Sequence, residues 1–415
     1  MRTKTSKTAA GAALLLLSAL ILPALAAAAD KPCYHCHASK LVGTVVHPPV
    51  ADKDCTACHN SGGSKHQVQK DLNGVKKKGS ALCYECHDNL AKEKSVHGPI
   101  KEGECIGCHA PHTSPYKKLL RDKVPNLCFE CHDRQNFTKP YRHEPIVSGT
   151  CTDCHVPHQS TVGKLIKPTK GLLCFECHDD AMTKGKSVHM PVFDKDCVSC
   201  HDPHSSTQKK LLKAPVTELC FQCHDKKEYT KVGSHEPVAS GRCIDCHFPH
   251  NSEQKKLLRS AKKPICFECH DPKIASGVTV HMPVKANECD VCHAVHGSDV
   301  KKMLTAVYPL MPASAFSEKA YALCLTCHDK AAFTDDETST ATGFRDGKTN
   351  LHALHVKGAE VTCRMCHDPH ATPQARLIRD SAVGKDNFQV LINFTLTKNG
   401  GSCKMTCHNP TSYTR

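Results

Sequence analysis

His143-Glu144-Pro145-Ile146-Val147-Ser148-Gly149-Thr150-Cys151-Thr152-Asp153-Cys154-His155-Val156-Pro157-His158 packs two cysteines and three histidines into one short run. One histidine follows the second cysteine directly, one stands eight residues before the first cysteine, and one stands three residues after the central histidine. The chain holds 30 cysteines and 31 histidines, and every cysteine belongs to a pair that a histidine follows at once. Fourteen pairs read C-x-x-C-H, and the fifteenth, Cys403-Lys404-Met405-Thr406-Cys407-His408, is one residue longer. A shuffled chain of this composition would show about 0.2 such motifs.

Two thiols and an adjacent imidazole at this spacing form the attachment signature of c-type haem: the thiols add to the vinyl groups and the imidazole binds iron. The thiol pairs are Cys33 and Cys36, Cys55 and Cys58, Cys83 and Cys86, Cys105 and Cys108, Cys128 and Cys131, Cys151 and Cys154, Cys174 and Cys177, Cys197 and Cys200, Cys220 and Cys223, Cys243 and Cys246, Cys266 and Cys269, Cys289 and Cys292, Cys324 and Cys327, Cys363 and Cys366, and Cys403 and Cys407. The expected proximal ligands are His37, His59, His87, His109, His132, His155, His178, His201, His224, His247, His270, His293, His328, His367 and His408. A disulfide framework gives no reason for a histidine after each pair. Zinc sites would need two pairs converging on one ion, and a redox C-x-x-C would need a βαβ context that is absent. Fifteen haems c per chain is the expectation.

From Cys105 to Cys289 the first cysteines recur every 23 residues, but alternate motifs differ, so the period is 46. Type A reads apolar-C-aromatic-acidic-C-H-D, as in Leu127-Cys128-Phe129-Glu130-Cys131-His132-Asp133. Type B carries the two extra histidines. The position eight before it holds His47, His97, His143, His189, His235, His281 and His355; the position three after holds His112, His158, His204, His250, His296 and His370. The first B motif lacks the second of these, and His66 lies nearby as a substitute. With His35 and His352 these make sixteen candidates for fifteen sixth positions, so bis-histidine ligation is expected throughout. A histidine three residues past a proximal ligand leaves nearly the same backbone and must serve a neighbouring haem. His35 occupies the slot of Glu85, Glu130, Glu176, Gln222 and Glu268 and reads as a substituted neighbour rather than a ligand. His352 is the candidate for the final haem at Cys403.

Residues 1–29 set the compartment. Arg2, Lys4 and Lys7 precede an apolar stretch and then the small residues Ala26 to Ala29, the pattern of a secretory leader cleaved near residue 29. Periplasmic residence is expected, with outer-membrane association through partners or an extracellular location as variants. The formal charge is +14. Loss of the three leader cations and about −1 from each ferric haem with ionised propionates brings it near −4. Lysine is therefore read as propionate neutralisation, and no nucleic-acid partner is expected.

Aromatics are 5% and tryptophan is absent, so the polypeptide is poor in core material and the haems should supply the core. The expected fold is mainly α with much irregular loop, elongated, with short helices wrapped around a chain of haems and few strands. Its parts are the leader, an N-terminal two-haem unit at 30–80, regular repeats at 81–305 and a diverged region with three haems at 306–415. Leu119-Leu120 and its equivalents, with Tyr34, Tyr84, Phe129, Phe175, Phe221 and Phe267, are expected to pack on the haems. The polar stretch Thr334 to Asn350 reads as a loop or disordered insert. Phe388, Val390, Ile392, Phe394 and Leu396 alternate with mostly polar neighbours and predict one strand, the sole one expected, as an end cap or docking edge.

The B motif with its flanking histidines resembles the doubled C-x-x-C-H cytochromes, from about His47 to Arg379. These include decahaem periplasmic conduits seated in outer-membrane porins and pentahaem donors to nitrite reductase. The resemblance implies a loop-wrapped chain of haems in near contact that transfers single electrons, without being an enzyme. Redox protein donors and acceptors, an outer-membrane porin and an extracellular cytochrome are the partners it implies. Two rivals stand beside it: a multihaem reductase with one open-site haem, and a subunit of a polymerised cytochrome filament.

Overall fold

The computed structural model describes residues 32–60, 74–384 and 387–415. The leader and His66 lie outside the described residues. The chain forms two compact units: one takes residues up to 132 together with 149–168, the other 133–148 together with 169–415.

Local structure follows the motif grammar. Each C-x-x-C-H of the repeats is a single helical turn in which the histidine N–H donates to the first cysteine's carbonyl, at 3.0 Å for His109 and 2.9 Å for His132. That turn sets both thiols and the imidazole on one short piece of backbone. The histidine eight before a B motif stands in extended conformation at the N-cap of another single turn, such as Pro48–Ala51, Glu144–Val147 or Met190–Phe193. Each has proline in its first two positions, where a missing N–H costs nothing and a fixed φ favours the turn. The aspartate that ends most A motifs caps the next turn: Asp133 accepts from Gln135 N at 2.9 Å, and Asp179 from Ala181 N at 2.8 Å.

Two-residue antiparallel ladders join the repeats. In the first unit Val45–Val46 pairs with Thr113–Ser114, and Ser95–Val96 with Gln159–Ser160. In the second unit Tyr141–Arg142 pairs with Ser205–Ser206, Ser187–Val188 with Asn251–Ser252, Gly233–Ser234 with Gly297–Ser298, and Thr279–Val280 with Ala371–Thr372. In every case the segment before one B motif meets the segment after the next.

The second unit ends in a four-stranded antiparallel sheet: β1 (Ser381–Val383), β2 (Gln389–Thr397), β3 (Gly400–Met405) and β4 (His408–Thr414), in that order. The alternating segment at 388–396 is thus a strand, but one of many. Thr334 to Asn350 is folded as well, with Arg345–Asp346 paired to Thr349–Asn350 and Asn350 buried at 1% exposure. The expectation of a mainly α chain with few strands is overturned: 34% of the structure is helix and 19% strand. Single turns cannot accumulate into helical layers, and backbone groups on either side of each B motif find ladder partners instead. Irregular loop remains abundant, as expected.

Burial divides the chain sharply. Every buried hydrophobic side chain among the described residues lies at Leu304 or beyond. Met365, Ile378, Ala382, Val390 and Ile392 form one cluster, and Leu304, Tyr308 and Tyr321 another. Before Leu304 the buried side chains are serines: Ser114, Ser160, Ser205, Ser206 and Ser252. Large apolar groups there stay exposed, including Ile106, Phe193 and Ile244. No described helix is long and apolar enough to cross a membrane.

Candidate haem sites

The histidines meet in pairs at one spacing. In the first unit the ring centroids of His47 and His87 are 6.1 Å apart, His59 and His112 6.0 Å, His97 and His132 6.0 Å, and His109 and His158 5.9 Å. In the second unit His143 faces His178 at 5.9 Å, His189 faces His224 at 6.2 Å, His201 faces His250 at 6.0 Å, His235 faces His270 at 6.1 Å and His247 faces His296 at 5.9 Å. Then come His281 with His328 at 6.2 Å, His293 with His370 at 6.1 Å, His352 with His367 at 6.4 Å and His355 with His408 at 6.4 Å. A metal held by two imidazole nitrogens at about 2 Å on each side leaves the centroids about 6 Å apart. Ordinary aromatic contacts scatter over about 4.5–7 Å.

The pairs follow two rules. A type A proximal histidine faces the histidine that stands eight residues before the B motif preceding it, as His132 faces His97. A type B proximal histidine faces the histidine three residues after the proximal residue of the next B motif, as His59 faces His112. The extra histidine after a B motif therefore serves the preceding repeat. His155 and His204 carry the same local settings, each within its own unit: His155 donates to the Lys164 carbonyl at 3.1 Å, and the carbonyl of His204 accepts from His143 N at 3.0 Å.

The dipeptide that ends each later B motif, Pro-His in all but one, does two jobs. Its histidine supplies a ring to the preceding repeat, while its backbone orients another. His47 donates from its backbone N–H to the His112 carbonyl at 2.9 Å and from Nδ1–H to the Pro111 carbonyl at 3.0 Å. His143 and His189 repeat this on Pro203 and Pro249, at 3.0 and 2.9 Å. Val295 replaces the proline opposite His235 at 3.1 Å, so the carbonyl and not the pyrrolidine ring is what the site uses. Because a carbonyl can only accept, Nδ1 carries the proton and Nε2 is left bare for a metal.

Type B proximal histidines are held in the same way by a left-handed turn. His109 donates to the Lys118 carbonyl at 2.9 Å, His201 to Lys210 at 2.9 Å, His247 to Lys256 at 2.9 Å and His367 to Arg376 at 3.0 Å. Lys118 and Leu119 both have positive φ, 59° and 55°, as do their counterparts in the other repeats. That reversal also returns the chain to its own motif, with Ala110 N donating to Leu119 O at 2.7 Å. Ser114 closes the loop, donating to Leu120 O at 2.5 Å and accepting from Tyr116 N at 2.9 Å. The recurring H-x-S or H-x-T after each later B motif was the sequence signal for this buried hydroxyl.

Burial lowers the pKa of His112, His158, His250 and His296, and pushes His352 down to about 4, so these rings are neutral and able to bind metal near neutral pH. Successive motifs also approach through sulfur. The first cysteine of an A motif lies near the first of the next B motif, as Cys83 near Cys105, Cys128 near Cys151 and Cys220 near Cys243. Burial is the main reason that Cys83, Cys128 and Cys220 are pushed up to about 11. The second cysteine of a B motif lies near the second of the following A motif, as Cys108 near Cys131 and Cys246 near Cys269. Within each unit, neighbours in sequence are neighbours in space.

Two leftover histidines separate here. His35 is exposed and stacks on Tyr34 at 5.3 Å. His352 does not face His408, for which the sequence nominated it; it faces His367, and His355 takes His408. A π-helical turn at Leu354–Gly358 begins between the two rings and directs them to different partners.

The family model described as "Doubled CXXCH motif" matches residues 47–92, 97–137, 143–183, 189–229, 235–275 and 281–333. Each match opens on the histidine that faces the type A proximal histidine of the same match. No curated protein matches the chain.

Proposed function

Because the chain belongs to the doubled CXXCH motif family of multihaem c-type cytochromes, we propose that it is an exported electron carrier with fifteen haems c. Twelve sit on motifs inside the family match and three on Cys33 and Cys36, Cys363 and Cys366, and Cys403 and Cys407. The observation that carries this reading is the recurring 6 Å pairing of histidines whose Nδ1 atoms are anchored on carbonyls. Bound haem supplies one-electron exchange between ferric and ferrous iron. The paired imidazoles would hold a haem iron from both sides, which would leave no place for a substrate there and favours transfer over catalysis. Carbonyl acceptors on Nδ1–H make each ring a stronger donor and favour the ferric state, hence a low potential.

Haems attached to these neighbouring cysteines would lie close to one another in chain order, which would let electrons pass from motif to motif within each unit. Exposed Ile106, Phe193 and Ile244 are read as surfaces that the macrocycles cover. The lysine surplus is read as neutralising the haem propionates. The leader directs the chain to the periplasm, between inner-membrane donors and an outer-membrane or extracellular acceptor protein.

Intact mass and electron paramagnetic resonance of the purified holoprotein test the proposal. Fifteen haems, all low-spin, are expected, and His112→Ala should turn one of them high-spin by opening the Cys55 haem. A high-spin haem in the unaltered protein, or fewer than fifteen haems, would sink it.

A further inference from the structure

Beyond the last family match lies a segment whose histidines obey the repeat rules only in part. His355 stands eight residues before Cys363, and it faces His408 of the longer motif at 6.4 Å. That is the type A rule, with Cys403, Cys407 and His408 in the type A place. The motif is built differently, however. Cys403 lies in β3 and His408 opens β4, with Met405 paired to His408, so a β-hairpin presents what a helical turn presents elsewhere. The additional residue fits that change, because a hairpin needs its own loop between the pairing residues. His408 donates from Nδ1 to the Asn409 carbonyl at 2.7 Å and His355 to the Leu351 carbonyl at 2.7 Å, so both rings turn Nε2 outward like those of the repeats. Beside them lies an apolar cavity of about 280 Å³ lined by Met365, Val390, Met405 and Cys407.

Residues 368–415 contain no C-x-x-C-H-x-P-H that would supply His367 by the type B rule. His352 fills the gap. Its ring faces His367 at 6.4 Å, is held through Nδ1 by Thr342 Oγ1 at 3.0 Å, and is flanked by Phe333 and Phe344 at 5.4 and 5.1 Å.

We infer that residues 352–408 form a seventh, self-closing two-haem site, with His352 as sixth ligand of the Cys363 haem and His355 as sixth ligand of the Cys403 haem. This rests on the haem-binding reading above and adds to it which histidine serves which of these two haems. The Cys363 site takes its sixth ligand from residues that precede it rather than from a following repeat.

The experiment uses the full-length holoprotein and reads ligation rather than electron transfer. The unaltered protein must first be wholly low-spin; if it is not, the broader reading fails before this one is tested. Cys403→Ser with Cys407→Ser should remove one haem by intact mass, and retention of fifteen overturns the inference. In that fourteen-haem background His352→Met should create one histidine–methionine haem, seen in its near-infrared charge-transfer band, while His355→Met should leave the spectrum unchanged. In the fifteen-haem chain both should change it. A silent His352→Met or a responsive His355→Met in the fourteen-haem background overturns the assignment. Should the double serine variant not fold, His352→Gly and His355→Gly in the intact chain serve instead. Each should give one high-spin haem that added imidazole returns to low spin, and a wholly low-spin spectrum from either overturns it.

Discussion

The repeats up to residue 303 and the region from Leu304 onward solve the same problem with different material. The repeats use ladders two residues long, single turns and buried serine hydroxyls, and bury no hydrophobic side chain of their own among the described residues. The C-terminal region has two apolar clusters and a sheet whose longest strand, Gln389–Thr397, runs nine residues. A repeated unit with partners on both sides can leave its interior to its cofactors. The C-terminal region fills its interior with its own apolar side chains.

Removal of the cofactors should break that comparison open most widely. A chain expressed with its thiols blocked against haem should be digested rapidly from residue 32 to about residue 303, while a fragment beginning near Leu304 survives. Equal digestion of both regions, read by mass spectrometry, would show that the C-terminal clusters do not stand alone. Next in size is Ile392→Ala, at 4% exposure in the terminal sheet, expected to cost about 2–4 kcal/mol in urea unfolding of the holoprotein. Val46→Ala, half-buried in a repeat ladder, should cost under about 1 kcal/mol. Similar losses at the two positions would erase the distinction.

Inside the repeats the sensitive groups should be polar. Ser206 donates to the Leu212 carbonyl and accepts from Gln208 N at 2.9 Å, so Ser206→Ala strands two buried backbone groups, at about 1–2 kcal/mol. A loss larger than that of Ile392→Ala would invert the ranking. The smallest effect belongs to Lys210→Gly. Lys210 has φ of 56°, and glycine relieves that left-handed strain, so stability should rise by under about 1 kcal/mol. A fall in melting temperature would mean that the lysine side chain contributes more than its backbone.

Much of the site was legible in the chain because haem attachment is a local demand. Cys151, Cys154 and His155 lie on one turn, and their spacing survives in the text. The histidines at fixed offsets were legible for the same reason. The pairing was not: His47 reaches its place through a bond from its N–H to the carbonyl of His112, and carbonyls carry no residue signature. Two-residue ladders such as Val45–Val46 are too short to show a period, which is why a chain rich in strands read as mainly α. The alternation from Phe388 to Leu396 was long enough to be seen, and only its partners were missing. His352 was assigned to the Cys403 haem rather than to His367 because the direction of its ring turns on a π-helical widening at Leu354–Gly358, which no residue in that stretch announces.

The offset between the two pairing rules imposes an order in time. The ring facing His59 belongs to the following repeat, as does the carbonyl that aims His47. A type B site is therefore incomplete until its successor has joined it. Assembly of these sites runs one repeat behind the emergence of the chain, except at His367, whose partner, His352, has already passed.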